Sequence, residues 1–169
     1  QELAKRIGLA WIGGRSKFRH GPLTLNLIEN HPITQGLKTL SLVDESYWEL
    51  TGEPSPLTVL ATSREEGLNR PLLWTKEVGK GRVFCCIPGH YTWTFDDPLY
   101  RILLLRGVCW SARQPIDRLS PLATFGARVA EPGARQKSEP HYHRHRGLRQ
   151  GITKEEDRPA NPYRDRGRP

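Results

Sequence analysis

The chain has no methionine, only three cysteines and no unbroken apolar run of the ~18 residues that would span a bilayer. Its first residues also lack the basic, apolar, small-residue order of an export leader. Each absence excludes something. Without the apolar run no membrane-spanning helix is expected, and the chain as it stands is not visibly exported, any targeting signal being expected on a missing start. Cys85, Cys86 and Cys109 are odd in number, two of them adjacent and all within apolar runs, which excludes a disulfide framework and a cysteine-built zinc site. They read as buried free thiols, and a cytoplasmic setting is expected. A sequence that opens on Gln1 and holds no methionine is expected to be a processed or truncated product, with apolar sheet surface left open to self-association.

Large aliphatic residues fail over the last stretch. Residues 131–169 hold only Leu148 and Ile152 of that type against 10 Lys/Arg, 6 Asp/Glu and 5 Pro, too little to offset ~1–2 kcal/mol of chain entropy per residue. One α/β domain is therefore expected over residues 1–130, followed by a basic, Pro-rich disordered tail over 131–169. That tail carries 10 − 6 = +4 of the net charge of +8, so half of the basic excess lies outside the domain. His141, His143 and His145 alternate there with Arg144 and Arg146, a pattern read as a solvated basic stretch. No nucleic-acid-binding signature accompanies the charge, and such a partner is not expected.

Within the body, residues 57–62 (LTVLAT) predict a buried strand ended by a polar loop at 63–67. Residues 72–78 and 82–87 flank Gly79-Lys80-Gly81 and predict a hairpin. Asp97 before Pro98 is an N-cap followed by proline at the first helical position, predicting a helix to Ala112 that packs on the hairpin through Phe84, Ile102 and Leu103. Residues 23–28 predict another strand, and 37–43 a loop leading into a short one.

Three segments carry the candidate chemistry: His31-Pro32-Ile33-Thr34-Gln35-Gly36-Leu37, Asp44-Glu45-Ser46-Tyr47, and Gly79-Lys80-Gly81-Arg82-Val83-Phe84 running on to Gly89-His90. His90 follows a strand, and the end of a strand is where open α/β folds place ligand-binding groups; an imidazole there can act as general base or acid. Adjacent Asp44 and Glu45 point to opposite faces of an extended chain, so one is expected to join a cleft while the other is solvated or pairs with a cation such as Arg82. Tyr47 falls on the side of Glu45. Carboxylates and rings suit hydroxyl bonding and sugar stacking, which makes Asp44 and Glu45 catalytic candidates beside His90, and Tyr47, Trp93 and His31 candidates for substrate binding. The competing reading of the Asp44–Tyr47 group is a capping loop packed on the core. His31, before Pro32, reads equally as a structural corner. A divalent metal held by His20, His31 and His90 is possible by residue type. Cys85 and Cys86 sit inside a strand, where a thiol stays buried and inert.

Taken in order, the three segments closely resemble the trehalose-utilisation (ThuA-like) family, in which an HPIT-GL segment, a DE-Y segment and a GKGRVF strand ending in GH recur. The resemblance runs from about Gly13 to Arg118. It implies a flavodoxin-like open sheet related to class I glutamine amidotransferases, present in part, and a role in disaccharide or glycoside metabolism associated with oxidised (keto) sugars. The implied partner is a small carbohydrate. His90 then occupies the place of the amidotransferase triad histidine, but Thr92 stands where that triad carries its orienting carboxylate. The alternative is a carbohydrate-binding or interaction domain of the same fold without catalysis.

Overall fold

The computed structural model describes residues 2–53 and 56–128; the tail expected at 131–169, with His141, His143 and His145, lies outside the described residues. A short helix α1 (Glu2–Ile7) leads into β1 (Leu9–Ala10), which pairs with β4 (Thr51–Gly52) as a small two-stranded ribbon. The main sheet has five strands, β2 (Lys17–Leu27), β3 (Thr39–Trp48), β5 (Thr58–Glu65), β6 (Leu68–Val78) and β7 (Gly81–Cys86), in the order β3-β2-β5-β6-β7. Helix α2 (Pro98–Ser111) packs on β7.

Among the described residues every strand pair is antiparallel, which corrects the flavodoxin-like open sheet expected from the resemblance. The reason lies in the connections. β5 reaches β6 through Glu66-Gly67, both at positive φ, and β6 reaches β7 through Gly79-Lys80. Two-residue links make hairpins, whereas a parallel pair needs a crossover of about a dozen residues or more. The first of these hairpins replaces the polar loop expected at 63–67; Ser63–Glu65 simply continue β5.

β2 buries alternate residues, Leu23, Leu25 and Leu27, while Thr24 and Asn26 face outward, as a half-covered strand should. These leucines join Leu40, Leu42, Leu60, Leu72, Leu73, Tyr100 and Leu103 in one core. β3 follows the same alternation as far as Leu42 and then buries Val43, Asp44, Glu45 and Ser46 in succession. A strand buried at consecutive positions is covered on both faces, and here the second cover is the segment that follows β7. Because β3 and β7 are opposite edges of the sheet, that contact means the sheet curls until its edges meet.

The helix starts as expected: Asp97 Oδ1 accepts from the backbone N–H groups of Leu99 and Tyr100, and Pro98 fills the first turn. It ends at Ser111. Leu103 is fully buried and Phe84 and Leu104 pack on the core, whereas Ile102 stays half-buried outside it. Helix and strand approach closely at Gly107, where a Cβ would lie 2.2 Å from the Phe84 ring. Gly107→Ala is therefore expected to lower stability by about 1–3 kcal/mol in urea denaturation, and Phe84→Leu in that background to restore part of it. An unchanged midpoint in Gly107→Ala would contradict the close approach.

Candidate functional site

The site forms at the seam between the two sheet edges. Asp44, fully buried on β3, accepts from the backbone N–H groups of Gly89 (2.9 Å) and His90 (3.1 Å), from the Thr94 hydroxyl, and from the N–H of Glu45 (2.6 Å). The Tyr100 hydroxyl donates to the Pro88 carbonyl from the helix side. Trp93 Nε1 donates to the Val43 carbonyl at 2.8 Å, and its ring stacks on Tyr91 at 4.3 Å. Gly89 takes φ 128°, and a Cβ there would meet the Phe95 ring at 3.0 Å and the Tyr100 oxygen at 3.1 Å. The segment 88–94 is thus pinned along its length, and His90 is aimed by its own backbone.

The Glu45 carboxylate lies beside His90. Its Oε2 is 3.1 Å from His90 Nδ1, its Oε1 is 3.0 Å from His20 Nδ1, and the Tyr47 hydroxyl donates to Oε2. His20 arrives because β2 pairs with β3 in the register that sets His20 opposite Glu45. Its Nδ1 is also 2.5 Å from the Tyr91 hydroxyl. The His20 and Glu45 side chains are largely buried, while the His90 side chain is 45% exposed, so solvent and ligands reach this group through His90.

The two carboxyls titrate in opposite directions. Burial raises the Asp44 pKa, and its hydrogen bonds from Thr94 and the three backbone N–H groups offset this only in part. Burial would also raise Glu45, but hydrogen bonds from His20 and Tyr47 and the nearby charge of His20 and His90 outweigh it, leaving Glu45 below the usual carboxylate value. The Tyr47 phenol is pushed up, by burial first and by the Glu45 bond second.

Both carboxyls are buried, so neither is the solvated partner expected; Arg82 instead pairs with Glu77 and lies over the Trp110 ring. Tyr47 does fall beside Glu45. Trp93 is half-buried, its Nε1 held by the Val43 carbonyl and its ring stacked on Tyr91. His31 sits apart: its Nδ1 accepts from the Ile33 N–H at 3.2 Å and its ring lies against Trp110. Among the described residues, no group of three or more His, Cys, Asp or Glu is placed to hold a metal ion, which removes the set His20, His31 and His90. Burial raises both thiols, Cys85 and, to about 12, Cys86, in keeping with inert cysteines. The sequence reading weighed His20 only as a metal ligand, not as a partner of Glu45, and passed over the part of Tyr91 and Thr94, which depends on contacts between distant segments.

The family model for trehalose utilisation, ThuA, matches residues 6–111, well over half of the chain. The chain belongs to the ThuA trehalose-utilisation family. The match spans all of the seam, from His20 on β2 to α2. No curated protein and no solved structure matches the chain. Among the described residues no helix is long and apolar enough to cross a membrane.

Two outcomes test the seam. Asp44→Ala strands buried N–H groups and should cost on the order of 2–3 kcal/mol, with hydrogen exchange at the Gly89 and His90 amides accelerating more than exchange in β6. Uniform acceleration would show that Asp44 does not pin this segment. For Glu45 the folded pKa lies below the unfolded value near 4.5, so its contribution is full above that value and is lost as pH falls through the lower, folded one. The stability advantage of the native chain over Glu45→Gln should accordingly shrink between pH 6 and pH 3, read from denaturation midpoints. A constant difference would contradict the shift.

Proposed function

We propose that the seam binds a small carbohydrate, a disaccharide or glycoside of the trehalose type or its keto form, and that His90 transfers a proton to or from it. The observation that carries this reading is the Glu45–His90 contact. The resemblance left the histidine without an orienting carboxylate, since Thr92 occupies that place; Glu45 supplies one from β3, at 3.1 Å from Nδ1. A carboxylate that accepts the Nδ1 proton selects the tautomer whose Nε2 carries the lone pair, and it stabilises the imidazolium once a proton is taken.

The roles divide accordingly. His90, the exposed member, is the catalytic residue. Glu45 orients it, and His20 and Tyr47 keep Glu45 ionised. Asp44, with both oxygens occupied by buried donors, is a positioning residue that fixes the His90 backbone. Membership in the trehalose-utilisation family supports the carbohydrate ligand.

The test is turnover of trehalose and its keto derivatives, followed by release of reducing sugar. His90→Gln should lower turnover ~10²-fold or more while leaving the melting temperature and ligand affinity near native values. Glu45→Gln should lower it less and displace the pH profile. Native turnover in His90→Gln across pH 5–8 would overturn the assignment, and sugar binding without any turnover in the native chain would favour a binding domain instead.

A further inference from the structure

A second cavity abuts the one at His90. The His90 cavity, about 400 Å³, and a larger trough of about 470 Å³ share Tyr47, Cys86 and Ile87 as a common wall. The rest of the trough is apolar and comes from α1, β1 and the sheet, with Leu9, Trp11 and Leu50 among its lining. Trp11 is 48% exposed and stands edge-on to the Tyr47 ring at 5.5 Å.

The polar side-chain atoms of Tyr47, Trp74, Cys85 and Cys86 are already engaged. The Tyr47 hydroxyl donates to Glu45, Trp74 Nε1 donates to the Ile7 carbonyl at 2.7 Å, the Cys85 thiol lies 3.5 Å from the same carbonyl, and the Cys86 thiol contacts Tyr100 and Pro88. A second sugar ring placed here would bury hydroxyls with few partners, which is unfavourable. An alkyl or aryl group would gain from every wall.

From this we infer that the preferred ligand is an amphipathic glycoside, its sugar at His90 and its apolar aglycone in the trough against Trp11, rather than a disaccharide. The inference rests on the carbohydrate reading of the seam and narrows it. The trough is large enough for a phenyl group or a short alkyl chain, and the three lining residues it shares with the His90 cavity set the two side by side.

The experiment compares methyl glucoside, phenyl glucoside and trehalose by titration calorimetry on the full chain. Phenyl glucoside should bind at least tenfold more tightly than either of the others, Trp11→Ala should erase that advantage while leaving methyl glucoside affinity unchanged, and nuclear Overhauser contacts should join the phenyl protons to the Trp11 indole in the native chain. Should Trp11→Ala fail to fold, those contacts decide the placement alone. Equal affinity for methyl and phenyl glucosides, or tighter binding of trehalose, would overturn the aglycone subsite and leave the carbohydrate reading standing. No binding of any of the three sugars would overturn both. A dimer that buries Trp11 and persists at saturating phenyl glucoside would assign the trough to a second copy and overturn the subsite.

Discussion

The buried carboxylate of Asp44 is the interaction on which the site depends. It joins the two edges of a curled sheet, taking backbone N–H groups from the segment after β7 while standing on β3. Edge strands leave N–H and C=O groups without partners, and proteins cover or pair them. Here the cover is a loop rather than another strand, so its N–H groups need an acceptor that a ladder would otherwise provide. A carboxylate serves because one side chain offers several lone-pair sites. The cost is desolvation, which remains larger than the hydrogen bonds return and keeps the Asp44 pKa raised. The same clasp holds Thr94, whose carbonyl accepts from the Asp97 N–H just before α2.

Adjacent carboxylates in one strand normally differ in exposure, since successive side chains alternate in direction. Asp44 and Glu45 are both buried because the returning segment meets one through its backbone and the other through the His90 ring. Their environments then push the two apart: four neutral donors fail to cancel burial at Asp44, whereas histidines and a phenol overcome it at Glu45. A pair of carboxyls separated in this way divides its roles: Asp44 holds the backbone, and Glu45, the more acidic of the two, faces His90, the proposed proton-transfer group.

Local chemistry made some elements legible. Asp97-Pro98 announces a helix start by capping, and Gly79-Lys80-Gly81 between β-branched and aromatic runs announces a hairpin; neither depends on distant residues. The ten-residue β3 was not legible, because Asp44 and Glu45 are poor strand formers and only pairing with β2 over its whole length holds them extended. The hairpin at Glu66-Gly67 was hidden by a polar run in which Arg64 and Glu66 face solvent while Ser63 and Glu65 are buried, Glu65 paired with Arg19 on β2. Of the site, the residue types at Glu45, Tyr47 and His90 could be read, but not their meeting. Glu45 and His90 are 45 positions apart and sit at opposite sheet edges, an arrangement that no periodicity encodes.

The antiparallel sheet also changes where the chemistry comes from. In an open parallel sheet the ligand crevice opens beyond the carboxyl ends of neighbouring strands, and the site's groups arrive from successive crossovers. Here His90 does leave the end of β7, but its carboxylate arrives from the far edge, by curling rather than by a crossover. Curling has a consequence for protons. The seam buries Glu45 and most of His20 while leaving nearly half of His90 open, so the charge proposed to orient His90 sits in a low-dielectric setting and the proposed proton-transfer group does not. An ion contact is strongest where water is excluded, and a proton is passed most readily where a ligand can reach; on the proposed roles, closing a sheet on its own edges meets both conditions at one histidine.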